Sequence, residues 1–103
     1  MAKYPQWDAG KRAFAAEKFE EAFLNFTECI SFEPKNSEVF KWRGRAYMGL
    51  GKYKEALYDF MASIEQERKL GPDNIDKKKL SDAWCFAGQC HFELEQFDLA
   101  LKS

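Results

Sequence analysis

The sequence predicts an all-α fold, and three observations carry that expectation. Apolar residues recur at steps of three and four rather than two. Proline is confined to Pro5, Pro34 and Pro72, which interrupt an otherwise helical pattern. No alternating apolar run bounded by turn residues marks a strand. The chain has 103 residues, enough for one small domain or a piece of a larger one, and a composition that is 46% hydrophobic and 17% aromatic argues for a packed core and against disorder.

The elements follow in order. After the opening MAKYPQWDAGKR, Tyr4, Trp7, Lys11 and Phe14 lie at helical steps on a first segment. KFEEAFLNFTECISFEP then places Phe19, Ala22, Phe23, Phe26, Cys29 and Ile30 on one apolar stripe, closed by Pro34. In WRGRAYMGLGKYKEALYDF, three glycines interrupt good helix-forming sequence, each at a cost of about 1 kcal/mol relative to alanine inside a helix. Gly51 reads as the left-handed end of a helix, with Tyr53 anchoring the turn that follows. Gly49 has no role in this scheme. KEALYDFMASIEQERKL repeats the stripe with Ala56, Leu57, Phe60, Ser63 and Ile64, and ends at Gly71-Pro72. Lys77-Lys78-Lys79 reads as the solvated start of a last helical segment.

The chain is also similar to itself. Gly10 and Gly44 are 34 residues apart, as are Ala22 and Ala56, and Phe26 and Phe60. Gly44 and Gly88 are 44 apart, as are Ala56 and Ala100, and the extra ten residues fall around ERKLGPDNIDKKK, where turn residues and charges concentrate. One period carried by several independent residues marks an internal repeat.

The period and these residues resemble the tetratricopeptide repeat, whose pattern W-x2-L-G-x2-Y is followed by A-x3-F and then P. The second copy reads Phe40-x2-Arg43-Gly44-x2-Tyr47 and Ala56-x3-Phe60, without the proline. The first reads Gln6-x2-Ala9-Gly10-x2-Ala13, Ala22-x3-Phe26 and Pro34, and the third Trp84-x2-Ala87-Gly88-x2-His91 and Ala100. The resemblance implies antiparallel helix-turn-helix repeats stacked in a right-handed superhelix, an α-solenoid. Repeat one would span 3–36, repeat two 37–70 with an insertion at 71–80, and a partial repeat three 81–103. Gly10, Gly44 and Gly88 would lie at close helix crossings, with Ala22, Ala56 and Ala100 as the small partners and Tyr47 and Phe60 filling the space beside them. The third copy's second helix would begin near Asp98. Phe97, Ala100 and Leu101, together with Trp84 and Ala87, would then form an open apolar edge, and a homodimer through it is expected at high concentration.

Catalytic chemistry is missing. The single histidine, His91, takes the position of Tyr47 and reads as a core ring. Cys90 and His91 point about 100° apart on a helix and cannot form a dyad, and Cys85 and Cys90 do not share a face for zinc. Cys29, Cys85 and Cys90, odd in number, read as small reduced core residues rather than a disulfide framework. No enzyme activity and no cofactor or metal is expected. A net charge of -1 gives no general field for nucleic acid or a membrane, and nothing is apolar enough for a signal sequence or a membrane span. A cytoplasmic, or nuclear, location follows as an expectation.

The resemblance implies a concave groove lined by the first helix of each pair. Tyr4, Trp7, Lys11 and Phe14 would face it from the first repeat, Glu38, Lys41, Trp42 and Arg45 from the second, and Asp82, Cys85, Phe86 and Gln89 from the third. Aromatics interleaved with Lys and Arg suit a protein or peptide partner with apolar anchors and a carboxylate. Trp7 and Trp42 packing between repeats is the other reading. One branch of the family binds Glu-Glu-Val-Asp tails of heat-shock chaperones with a fixed set of Lys, Asn and Arg. The matching positions are Trp7, Lys11, Trp42, Asp82 and Phe86, so only one cation remains and the clamp is not expected. The reading is a non-catalytic adaptor or scaffold. The alternatives are the targeting or autoinhibitory segment of a larger enzyme, such as a phosphatase or prolyl isomerase, and a structural subunit whose groove is filled by its own protein.

Overall fold

A computed structural model describes residues 5–102. Five helices follow one another: α1 (Pro5–Ala15), α2 (Phe19–Phe32), α3 (Ser37–Gly49), α4 (Tyr53–Arg68) and α5 (Lys77–Lys102). No strand occurs among the described residues. Each helix packs on the next, and α3 also touches α5, so two antiparallel pairs and a fifth helix stack as an all-α repeat solenoid.

The turns inside the two pairs share one geometry. At the end of α1, Lys18 N donates to Ala13 O at 2.8 Å, and at the end of α3, Lys52 N donates to Tyr47 O at 2.9 Å. This closing bond requires a left-handed residue before the donor. Gly51 supplies it at φ +75°, and in the first copy Glu17 does so at φ 61° without glycine's freedom. Pro34 follows the end of α2. The Asn36 side chain then opens α3 by accepting from Glu38 N at 3.0 Å, and Asp76 opens α5 by accepting from Lys78 N and Lys79 N.

Within each pair the crossing is set by an aromatic ring lying on a glycine. A Cβ added to Gly10 would come within 2.6 Å of the Phe26 ring, and one added to Gly44 within 2.8 Å of the Phe60 ring. The expected partner changes accordingly: Ala22 and Ala56 are fully buried nearby, but the group seated on each glycine is the phenylalanine four residues later. Gly49 now has an account, because any side chain there would collide with the ring of Phe19. That contact joins α3 to the preceding pair. Two clusters form the core. One holds Ala13, Ala22, Phe26, Cys29, Val39 and Ala46, and the other Ala56, Phe60, Ala87 and Cys90.

Arg43 stands in the apolar slot of the repeat pattern and makes a two-pronged ion pair with Asp59 of α4, at 2.7 and 2.8 Å. Burial pushes the Asp59 carboxyl up, and the Arg43 bonds pull it back. At the far end, the buried Glu67 accepts from Ser37 Oγ and from Asp76 N, both at 2.8 Å. It ties the inserted loop to the start of α3.

The third copy departs from expectation. No second helix begins near Asp98, because α5 runs unbroken from Lys77 to Lys102. Glu93, Leu94, Glu95 and Gln96 hold neither glycine nor proline to stop it. Ala87 faces α4 and is buried, while Trp84 is 49% exposed and Gly88 has no described neighbour within 4 Å. His91 is exposed rather than in the core, since no described helix covers the side of α5 that carries it. Cys85 is exposed as well, unlike buried Cys29 and Cys90. Tyr4 and the side chains of Phe97 and Ala100 lie outside the described residues.

Two predictions follow from these contacts. Gly44→Leu is expected to lower stability by about 1–3 kcal/mol through overpacking on Phe60, whereas Gly88→Ala, at the same repeat position in open space, should raise it by up to about 1 kcal/mol. Chemical denaturation of both variants checks the opposite signs. Asp59→Ala should cost about 3 kcal/mol or more by leaving Arg43 unpaired, and the double change Arg43→Leu, Asp59→Leu should recover most of that loss; a double-mutant cycle in urea measures the coupling.

Candidate protein-interaction groove

Helices α1, α3 and α5 are the first members of their repeats, and their side chains meet on one surface. Trp42 of α3 lies at its centre. Its ring stands 6.2 Å from Trp7 and 5.5 Å from Phe14, both edge-on, and 5.9 Å from Phe26. The indole is half-buried and packs on the first core cluster. It is therefore a wall between repeats that also borders the surface, and Trp7, 5.7 Å from Phe26, is placed in the same way.

Two cations stand over these rings. Lys11 Nζ lies 5.4 Å from the Trp7 ring and 5.6 Å from the Trp42 ring. The Arg45 guanidinium is surrounded by three rings from three helices: Phe14 at 4.7 Å, Trp42 at 4.5 Å and Phe86 at 5.2 Å. Such contacts hold a cation by the negative faces of the rings, most strongly where water is thin. Burial lowers the Arg45 pKa, and the charges of Asp82 and Glu38 act against that shift. Phe86 is itself held by stacking on Phe60 at 5.3 Å and 19°.

Beside Arg45 is a depression of about 320 Å³ lined by Phe14, Phe19, Arg45, Met48, Tyr53, Phe86 and Gln89, with the Gly49 backbone. Of the residues expected on this surface, Trp7, Lys11, Trp42, Arg45 and Phe86 come together, and Gln89 is exposed at the rim. Lys41 does not join them as a free cation. It is buried, with Nζ 2.6 Å from Glu38 Oε1. Phe19, Met48 and Tyr53 were not foreseen as lining residues. Phe19 and Tyr53 stand at the starts of α2 and α4, where helical spacing along α1, α3 or α5 gives no sign of them, whereas Met48 lies three residues past Arg45 and continues its face of α3. Among the described residues, no group of three His, Cys, Asp or Glu side chains could hold a metal ion, and no helix is long and apolar enough to cross a membrane.

The model for the tetratricopeptide repeat matches residues 41–69, which cover most of α3 and all of α4. Residues 41–69 thus read as a tetratricopeptide repeat. Among the relatives of this repeat chain, human DnaJ homolog subfamily C member 7 is 27% identical over 96 residues, covering 93% of this chain and 17% of that protein. The soybean (Glycine max) Hsp70-Hsp90 organizing protein 1 is 28% identical over 96 residues, covering 93% of this chain and 15% of that protein. The mouse E3 ubiquitin-protein ligase TTC3 is 26% identical over 86 residues, which is 84% of this chain and 4% of the ligase. The chain thus spans a small part of the curated relatives it matches. Tetratricopeptide repeats mediate protein–protein interaction.

The packing of Trp42 generates a stability prediction. Trp42→Ala should destabilise the fold by about 3 kcal/mol, as expected for truncating a large aromatic packed on the core, while Lys11→Ala should leave the melting temperature nearly unchanged. Thermal denaturation followed by circular dichroism separates the two.

Proposed function

We propose that the chain is a non-catalytic interaction module, working in the cytoplasm as an adaptor or scaffold, that holds a peptide or protein segment across α1, α3 and α5. One observation carries this reading: Arg45 gathers rings from all three helices beside an open apolar depression. Concave surfaces with aromatic walls and a few oriented polar groups are where such segments dock. Chaperone tails of the Glu-Glu-Val-Asp kind are not the ligand in this reading, because Asp82 and the ring of Phe86 stand where their clamp needs cations, and Trp42 stands where it needs an amide.

A second reading keeps the groove but makes the chain the targeting or autoinhibitory unit of a larger enzyme. It is favoured by the small share of each relative that the chain covers, an E3 ligase among them. The first reading is tested by panning a random-peptide display library on the chain, with Arg45→Glu as counter-selection and a Glu-Glu-Val-Asp peptide as a separate calorimetric probe. Enriched peptides are expected to bind the original chain at least about tenfold more tightly than the Arg45→Glu or Phe86→Ala chains, both verified as folded. The tail peptide is expected to give no low-micromolar binding. Selected peptides that bind all three chains equally would remove the groove from the account.

A further inference from the structure

We propose that α5 is the contact of a two-fold dimer, in which the α5 helices of two copies of this chain cross antiparallel at Gly88. The face involved lies apart from the groove. Phe86, which lines the groove, is two residues from Gly88 and projects about 200° away around the helix. The dimer therefore goes beyond the groove reading and does not rest on it.

Gly88 is a crossing glycine without a crossing. At the same repeat position, a Cβ added to Gly10 or Gly44 would come within 2.6 or 2.8 Å of a phenylalanine ring, whereas among the described residues nothing lies within 4 Å of one added to Gly88. It nonetheless stands inside a 26-residue helix, an element that glycine weakens. Its surroundings are apolar. Trp84 and Phe92, four residues before and four after, project on the same side and are 49% and 57% exposed. Cys85 beside them is exposed as well. Helix α4 takes a different side of α5, through Ala87 and Cys90, so Ala87 does not belong to the open edge that the sequence suggested.

A second copy fits this face because the face is complementary to itself. A two-fold axis through Gly88 places the two glycines at the closest approach, where neither backbone carries a side chain to hold the other off. It also sets Trp84 of each copy beside Phe92 of the other, giving two identical aromatic contacts. The charges along α5 select the direction. Lys77 stands at its start and Glu95 and Asp98 toward its end, all three exposed and without an ion pair among the described residues. An antiparallel crossing brings Lys77 of one copy alongside Glu95 and Asp98 of the other, whereas a parallel one sets like charge against like. A net charge of -1 adds little general repulsion between copies. One helix pair is smaller than the interface of a tight dimer, so the association is weak and reversible.

The test is sedimentation equilibrium of the chain from about 10 µM to about 1 mM, a range suited to an interface this small. A monomer–dimer equilibrium is expected. Gly88→Leu should weaken it at least about tenfold, because two added side chains hold the crossing apart, while circular dichroism at low concentration shows the fold intact. A merely sticky apolar surface would instead associate more strongly with the added leucine. Lys77→Glu and Glu95→Lys should each weaken the dimer about threefold or more, and both changes in one chain should restore it. Arg45→Glu, on the groove side, should dimerise like the original chain. A monomer at every concentration overturns the proposal. So does a Gly88→Leu chain that associates as well or better, or a pair of charge reversals that do not compensate. Loss of the dimer in Arg45→Glu also overturns it, by placing the contact in the groove.

Discussion

The structure depends on a phenylalanine ring pressed against a glycine backbone. Phe26 covers Gly10 and Phe60 covers Gly44 so closely that even a methyl group would have to displace the ring. The contact fixes how near the two helices of a pair approach, because cores this dense resist small changes of volume. It also fixes what lies on the other side of α1 and α3. Once the phenylalanine seats its helix behind them, Lys11 and Arg45, one residue past each glycine, are turned away from the core toward the groove. The groove is in this sense the back of the helix crossing.

The same contact explains which parts of the fold were legible in the sequence. Gly, Ala and Phe recur at one spacing because each crossing is made within a single repeat, so the period shows. Gly49 was opaque because its partner Phe19 belongs to the preceding repeat and lies thirty positions upstream, outside any comparison of one copy with another. The lining by Phe19 and Tyr53 was hidden for a similar reason, since both are turn anchors that reach the groove from the end of a helix. The reading of His91 as a core ring failed through equivalence itself. It holds the position of Tyr47, but position in a repeat implies burial only where a neighbouring helix supplies the cover.

The left-handed turn shows how far local chemistry decides. Gly51 adopts φ +75° with no steric cost, and the chain turns there. Glu17 adopts φ 61° although a side chain resists it, and the turn forms because α2 packs back against α1. Glu95 occupies the equivalent place in the third copy and stays helical within α5. Glutamate thus turns or propagates according to what the next segment can bury, and the intrinsic preference is a small term beside that burial.

Arg43 and Arg45 make the division of labour on α3 concrete. They are two residues apart, so they project about 200° apart around the helix. Arg43 points into its own repeat, where Asp59 takes both of its prongs, and that arginine is spent on joining α3 to α4. Arg45 points the other way, between α1 and α5, and is held by ring faces that leave its hydrogen-bonding edge open. The sequence WRGR contains both, and nothing in residue type separates them. Their roles are set by Gly44 between them. The close crossing at that glycine puts one arginine against a buried carboxylate and leaves the other facing whatever segment enters the groove.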